Sequence, residues 1–339
     1  MGNHMQVIEL PGQPLPDGVR TAVTIGKFQG IHRGHQAVLR SVRERAAELG
    51  LEPAVVTFDR HPLATIAPEH CPAPLMGRAA QLELFADAGM AAVCVLRFDR
   101  AMMQTSPEDF ARPVIRDAMH AELVLVGPDF RFGSRNAGDV PLLRTLGERL
   151  GFTVEEIPLL TVGEEKLSSS RIRTLLGAGE VAQAARDLGR FPELRGVVVH
   201  GFQRGRELGF PTANLGSGVD TVAGERVEAS GFVPADGVYA GWLLLEPGGD
   251  RFPAAVSVGT NPTFDGRERT VEAHIPGRTV EDLDLYGRSV RIQFVKRLRP
   301  MRAFSGVAEL IETMRADVAQ TSALLRESGL VIDRREGKW

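Results

Sequence analysis

The sequence predicts an α/β half built on a parallel sheet, followed by an antiparallel β half. Three observations carry this. The chain has 339 residues, too many for one ordinary core, so two domains are expected. Over the first half, short continuous apolar runs alternate with helical patterns, as in a parallel sheet covered on both faces. Over the second half, short runs rich in valine and aromatic residues are parted by Gly, Pro and Asp, the spacing of a barrel or sandwich.

The elements follow in order. "TAVTI" from Thr21 reads as a strand. From His35, the apolar residues Val38, Leu39, Val42, Ala46 and Leu49 recur at helical spacing. "AVVTF" from Ala54 is the next strand, and a helical stretch near Gln81 precedes "AAVCVLRF". "PEDFARPVIRDAM" reads as a helix capped by Ser106, with Pro113 starting a new helix or kinking this one. "ELVLVG", a helix over Pro141 to Leu150 and "FTVEEI" follow, and two short helical stretches near Arg171 and Val181 close the half.

The character changes near Phe191 to Arg195. "RGVVVHG", "GVYAGWLLLE", "PAAVSVG", "TVEAHI" and "SVRIQFV" are the strands of the second half. The segment "GSGVDTVAGERVEASGFVPAD" reads as a long mobile loop of small residues. A last helix spans about Gly306 to Leu325, with Val307, Leu310, Ile311, Met314 and Val318 on one face. The opening "MGNHM" looks like an expression remnant.

The totals exclude several classes. A hydrophobic share of 43% is globular, and a net charge of −3 with mixed signs argues against a nucleic-acid or membrane-surface protein. Cys71 and Cys94 fit neither a disulfide framework nor a zinc motif, so a reducing cytoplasm is the default. No apolar stretch is long enough to span a bilayer.

The chemistry starts at "TIGKFQGIHRGHQ" from Thr24. A strand running into a glycine-rich turn and then a helix makes an anion site, because the amides at the helix start point outward and the dipole favours negative charge. Gly30 and Gly34 let the backbone approach a phosphate, and His32 and His35 each donate to its oxygens. Metal binding by the two histidines lacks further ligands nearby. The plain alternative is one buried and one surface histidine.

The pattern Gly26-x-Phe28-x-Gly30-x-His32-x-Gly34-His35 resembles the nucleotide-binding signature of bacterial bifunctional riboflavin kinase/FAD synthetases, whose first domain is an FMN adenylyltransferase. "TFDRHP" from Thr57 is similar to the family's TFxPHP segment, with Arg60 in place of a usual proline. "GPDFRFG" from Gly127 matches its flavin and nucleotide motif, and "KLSSSRIR" from Lys166 its ISSTxIR motif. The resemblance implies a nucleotidylyltransferase-like (Rossmann-like) parallel-sheet domain over 6–190, in which the FMN phosphate attacks the α-phosphorus of ATP. It places His32, His35 and the glycine turn on the phosphates, and Ser168, Ser169 and Arg173 over the departing pyrophosphate. Asp129 would orient nucleotide or flavin, while Phe130 and Phe132 are either core or flavin-stacking groups.

One departure matters. The family's GxFDG has Asp where this chain has Gln29. If that position supports nucleotide or magnesium, adenylyl transfer is weakened or altered in nucleotide choice; if it only orients the turn, Gln serves.

"GFQRGRELGFPTANL" from Gly201 matches neither GxGxxG nor a P-loop, and by composition alone is a solvated loop carrying Arg204 and Arg206. It resembles the GRxxGFPTAN hallmark of riboflavin kinases. The resemblance puts Gly205, Arg206, Gly209 and Pro211 around a nucleotide and assigns magnesium to Thr212 and Asn214. On "TVEAHI", Glu272 and His274 share one strand face. The family's glutamate there is the base for the riboflavin 5′-hydroxyl, and His274 is read as structural. "SVGTNPTF" from Ser257 and "DLDLYG" from Asp282 flank it as the family pattern demands.

The resemblance thus implies a riboflavin-kinase β-barrel with a terminal helix over 191–330, and a cytoplasmic flavoprotein that makes FMN and FAD from riboflavin with ATP and Mg2+. The expected partners are these small molecules, with no nucleic acid or membrane, in a monomer or weak homo-oligomer. Two rivals stand beside it: an active kinase with a lapsed or altered first domain, resting on Gln29, and a flavin-sensing or RNA-binding regulator. Intact "PTAN", Glu272 and the lack of a basic stripe count against the regulator.

Overall fold

The computed structural model describes residues 5–158, 161–162, 165–201, 204–263 and 266–327. The first four residues of the expression remnant, Phe202 and Gln203 of the second glycine loop, Phe264, and 328–330 of the expected second domain lie outside them. By its contacts the chain divides into two compact units, with the border between Ser168 and Ser169.

The first unit is built on strands β1 (Gln6–Leu10), β2 (Thr21–Ile25), β3 (Glu52–Phe58), β4 (Ala92–Leu96), β5 (Ala121–Val126) and β6 (Thr153–Glu156). They form one sheet in the order β1-β4-β3-β2-β5-β6, with every neighbouring pair parallel. Every residue of β2 and of β4 is buried, as the unbroken apolar runs require. β1 was not foreseen: it is an edge strand, and its Gln6, Val7 and Glu9 stay exposed, which hides its pattern.

Helix α1 (Arg33–Leu49) buries Leu39, Val42 and Ala46 and ends on Gly50, whose left-handed φ of 66° closes the last turn. Ser106 caps the turn Pro107–Phe110, accepting from the Asp109 amide at 3.0 Å. Pro113 neither breaks the helix nor starts a new one: the chain continues over Ala111–Ala118 as a widened π-type turn, which accommodates a residue without an N–H. Helix α2 (Arg78–Asp87) buries Ala80, Gln81, Leu84 and Phe85.

In the second unit come α3 (Ser169–Gly177), α4 (Val181–Leu188), β7 (Glu193–Val199), β8 (Thr212–Gly216), β9 (Gly237–Leu245), β10 (Arg251–Thr263), β11 (Gly266–His274), β12 (Ser289–Pro300) and α5 (Val307–Glu327). The six strands close into an antiparallel barrel in the order β8-β11-β10-β9-β12-β7. The helices α3 and α4, read as closing the first half, pack with this barrel. The Ala235 amide donates to Leu176 at 3.0 Å and Arg297 to the Ala178 carbonyl at 3.2 Å. Ala185 of α4 joins Phe191, Val295 and Leu325 in one buried cluster.

On α5, Leu310, Ile311, Met314 and Val318 of the expected face are half-buried, and only Val307 departs from it. Val307 is 60% exposed, and the buried line runs Asp317, Thr321, Leu325. Asp317 is buried because Arg299 of β12 meets it as a fork, Nε to Oδ1 at 3.1 Å and Nη2 to Oδ2 at 2.8 Å.

The small-residue segment after β8 is pinned rather than loose. It holds a two-stranded hairpin, Gly218–Val219 against Arg226–Val227. The Asp220 carboxylate, 3% exposed, accepts from the amides of Val222 at 2.7 Å, Ala223 at 2.9 Å and Ser289 at 3.0 Å. Burial alone would raise its pKa; the hydrogen bonds from Ser289, Ala223 and Val222 prevail and bring it down to about 2.

Asp220→Ala is therefore expected to lower stability by about 2 kcal/mol through three orphaned amides. Because the folded value lies below the ordinary carboxylate range, this stabilisation is full above pH ~4 and is lost as pH falls through about 2. Urea unfolding of both chains at pH 7 and pH 2.5 checks it: the gap is to be wide at the first and narrower at the second.

Candidate functional site

In the parallel sheet, β2 and β5 are neighbours, and the chain builds outward from them in opposite directions. Such a reversal opens a crevice beyond the carboxyl ends of the strands, where open α/β sheets bind ligands. The turn 26–32 leaves β2 there, "GPDFRFG" leaves β5, and "TFDRHP" forms the end of β3. Three motifs far apart in sequence thus emerge from adjacent strands.

The turn has an unusual backbone. Gly30 takes φ 81°, but Phe28 and Ile31 also lie in the left-handed region, at 46° and 35°. Non-glycine residues there cost roughly 1–2 kcal/mol each, so the surroundings must hold them. Both side chains are buried, Phe28 at 3% and Ile31 at 1% exposure. Phe28 packs edge-on against Phe85 and backs the His35 ring at 5.0 Å, so its side chain belongs to the core. Gly26 makes room for it: a Cβ there would come within 3.1 Å of the Phe28 ring.

His32 is the cap of α1, its Nδ1 accepting from the His35 amide at 3.3 Å. A neutral ring that accepts at Nδ1 carries its proton on Nε2, as a donor. The two imidazoles stack at 3.8 Å between centroids. Gly34 was expected to let a phosphate approach; a Cβ there would sit 3.1 Å from the His32 ring, so the missing side chain also makes space for the imidazole. Together, the α1 dipole and two histidines at its first turn form an anion-binding end.

Gln29 is tied to the segment before α2, its Oε1 accepting from the Leu75 amide at 3.3 Å. Arg60 turns onto Asp59, Nε to Oδ2 at 2.9 Å, while Asp59 also accepts from the Phe98 amide at 2.9 Å. Asp129 is exposed at the β5 end, and Phe132 is core, 6% exposed and stacked under Phe130 at 5.6 Å. Ser168 is half-buried at the end of the first unit, whereas Ser169 and Arg173 lie on α3 of the second. The neighbouring Arg171 ties α3 to the buried Asp187 at 2.8 Å.

A second constellation sits on the barrel. Antiparallel pairing of β8 with β11 sets Asn214 opposite Glu272 and Thr212 opposite His274. Thr212 Oγ1 donates to Glu272 Oε2 at 3.0 Å, and Asn214 Nδ2 to the Thr212 carbonyl at 3.4 Å. The side chain of Asn214 lies over Gly201, where a Cβ would come within 2.4 Å of it. The loop before β8 contains one helical turn, Arg204–Glu207, ended by Gly209 at φ 83°. Gly205 is required by close approach, since a Cβ would lie 2.5 Å from the Phe210 carbonyl oxygen. Arg206 pairs with Glu281 at 3.1 Å in solvent, and the side chain of Arg204 lies outside the described residues.

Two contributors escaped the sequence reading. Gln36 donates to the Ile31 carbonyl at 2.9 Å, and Gln81 to those of Lys27 and Phe28 at 3.0 and 3.2 Å. Both are polar residues on buried helix faces, 8% and 6% exposed, and that break in the apolar pattern was the available signal. His274 is structural, as read: Nδ1 meets the Pro211 carbonyl at 2.9 Å and the ring packs edge-on against Phe210.

Known proteins resemble both parts of this fold. A family model described as FAD synthetase matches residues 16–171, and one described as riboflavin kinase matches 188–325. A bifunctional riboflavin kinase/FMN adenylyltransferase from Pseudomonas fluorescens is 33% identical over 96% of this chain and 99% of its own. A protein of the same description from Bacillus subtilis is 32% identical over 88% of this chain and 90% of its own. A crystal structure described as a macrolide-efflux protein from Streptococcus pneumoniae superposes with a TM-score of 0.81 at 29% identity, over 94% of this chain and 99% of that one. Among the described residues, no helix is long and apolar enough to cross a membrane.

Burial lowers the pKa of His274, only partly opposed by the hydrogen bond to Pro211. Its ring is expected to titrate below the usual 6.5, with the neutral form protonated at Nδ1. Histidine NMR against pH checks this. Since the unfolded chain takes the proton more readily, the contribution of His274 to stability is to fade as pH falls below about 6.5.

Proposed function

The chain belongs to the bifunctional riboflavin kinase/FMN adenylyltransferase family, and on that premise we propose which side chains carry each step. The enzyme phosphorylates riboflavin to FMN and adenylylates FMN to FAD, with ATP as co-substrate. We assign adenylyl transfer to the parallel-sheet unit and phosphorylation to the barrel unit, a division supported by the two matched segments.

In the kinase, the carrying observation is the register that sets Asn214 opposite Glu272. Glu272 Oε2 is held by Thr212, leaving Oε1 to take the proton from the riboflavin 5′-hydroxyl as that oxygen attacks the γ-phosphorus. Thr212 and Asn214 fit magnesium: their side-chain oxygens are hard donors beside a carboxylate, and Mg2+ takes few protein ligands, filling the rest with phosphate and water. When bound, the ion supplies charge neutralisation on the phosphates. Gly205, Arg206, Gly209 and Pro211 border the nucleotide, and His274 holds the Pro211 end of that loop in place.

In the adenylyltransferase, the FMN phosphate attacks the α-phosphorus of ATP and pyrophosphate leaves. His32 and His35, with Gly26, Gly30, Gly34 and the start of α1, hold the phosphates, which is catalysis by positioning and charge stabilisation. Asp129 orients nucleotide or flavin, and Ser168, Ser169 and Arg173 keep the pyrophosphate role their motif implies. The hydrogen bond from Leu75 supports reading Gln29 as an orienting residue of the turn. A flavoprotein of the cytoplasm, acting alone or as a weak homo-oligomer, is our placement. It is supported by two unpaired cysteines, of which Cys94 is inert, its thiol pushed up to about 12 by burial.

Glu272→Gln keeps the shape but not the base. It is expected to slow riboflavin phosphorylation by about 10²–10⁴-fold, with FAD formation from supplied FMN unchanged. Chromatography of flavins from both assays checks it; a normal phosphorylation rate refutes the base. Wild-type protein given FMN, Mg2+ and either ATP or CTP is expected to form FAD from ATP. No FAD from ATP would restore the lapsed-domain rival.

A further inference from the structure

We infer that Gln81 is a positioning residue for adenylyl transfer, acting through the phosphate-binding turn from the buried side. It rests on the reading that the first domain transfers the adenylyl group. The turn places two non-glycine residues, Phe28 and Ile31, at positive φ. A phosphate-binding turn must present its amides to the ligand, so its carbonyls need partners elsewhere. Here the protein interior provides them. The Gln81 amide, on α2 and 6% exposed, donates to the carbonyls of both Lys27 and Phe28, at 3.0 and 3.2 Å. Gln36 serves the carbonyl of Ile31 at 2.9 Å, and the Leu75 amide meets Gln29 at 3.3 Å. Of these, Gln81 alone bridges two successive peptides on either side of the Phe28 kink, and it comes from an element distant in sequence.

Phe28 in turn backs the His35 ring at 5.0 Å, and His35 stacks on His32 at 3.8 Å. Gln81 therefore fixes the kink on which both histidines rest. Buried at 6% exposure and bonded to the carbonyls of the turn, Gln81 acts through the turn rather than on substrate. Losing its two donors takes one partner from each carbonyl, that of Phe28 keeping the Ile31 amide at 3.3 Å, and loosens the turn, and small misplacements of phosphate-binding groups are costly to rate.

The test uses the full chain and its two activities. Gln81→Met keeps length and burial but removes both donors. Gln81→Lys restores donors of similar reach. In FAD formation, Gln81→Met is expected to lower kcat/KM for ATP at least about tenfold, with KM for FMN and the rate of riboflavin phosphorylation within about twofold of wild type. Gln81→Lys is expected to recover most of the loss. Three outcomes overturn the inference: full FAD formation by Gln81→Met, equal damage in Gln81→Met and Gln81→Lys, or parallel loss of both activities. Failure of the wild-type chain to make FAD would instead remove the reading beneath it, a result visible before any variant is compared.

Discussion

A loop that binds phosphate must turn its amide hydrogens towards the ligand, and its carbonyl oxygens then have to be satisfied by the protein. Much of the architecture around both glycine loops answers this constraint. In the parallel-sheet unit the answer is side-chain amides. The carbonyls of Lys27, Phe28 and Ile31 are met by Gln81 and Gln36, and the backbone between them accepts positive φ at residues that ordinarily avoid it. The sheet does the coarse work, since the order reversal between β2 and β5 brings the motifs to one crevice. The buried glutamines do the fine work within it.

The barrel solves the same problem with strand register and one histidine. Side chains at paired positions of β8 and β11 lie side by side, so Asn214 and Glu272 meet without any loop having to carry them. The Pro211 carbonyl, just before the strand, is taken by His274, two residues from Glu272 on the same strand face. Burial lowers the pKa of that ring and so favours the neutral form, which holds the carbonyl without adding charge beside Glu272. Gly201 completes the arrangement by leaving space for the Asn214 side chain.

The broad fold was legible because burial on both faces leaves an unbroken apolar run, as in β2 and β4, and because β9, β10 and β12 carry dense apolar and aromatic patterns. The elements that escaped are those whose burial is incomplete or polar. β1 is an exposed edge, and β8 carries "TANLG", whose polar residues break the apolar pattern of a strand. Helices α3 and α4 were legible as helices, but an amphipathic face does not name its partner, and they pack with the barrel. The motif residues were legible by type and order, yet their roles were not all as they looked. Gly34 and Gly26 make room for rings of this protein, and Phe28 supports rather than touches the site. The supporting polar residues, Gln36, Gln81, Asp220 and Asp317, have partners remote in sequence or in backbone atoms, which no residue pattern displays.

Gln29 shows how an amide can keep an acceptor in the turn without a charge. A carboxylate there would set a negative charge in a turn that faces phosphates, and at a separation of 4 Å such repulsion reaches about 4 kcal/mol in a partly screened site. It would be tolerable only with a cation to offset it. The amide supplies the same acceptor oxygen to Leu75 without that charge. The partner on the other side of the turn, Gln81, is likewise neutral and donates rather than repels. With no charge in its scaffold at either point, the turn needs no counter-ion to keep its shape. On the reading proposed above, attraction for the triphosphate would then be left to His32, His35 and the amides at the start of α1.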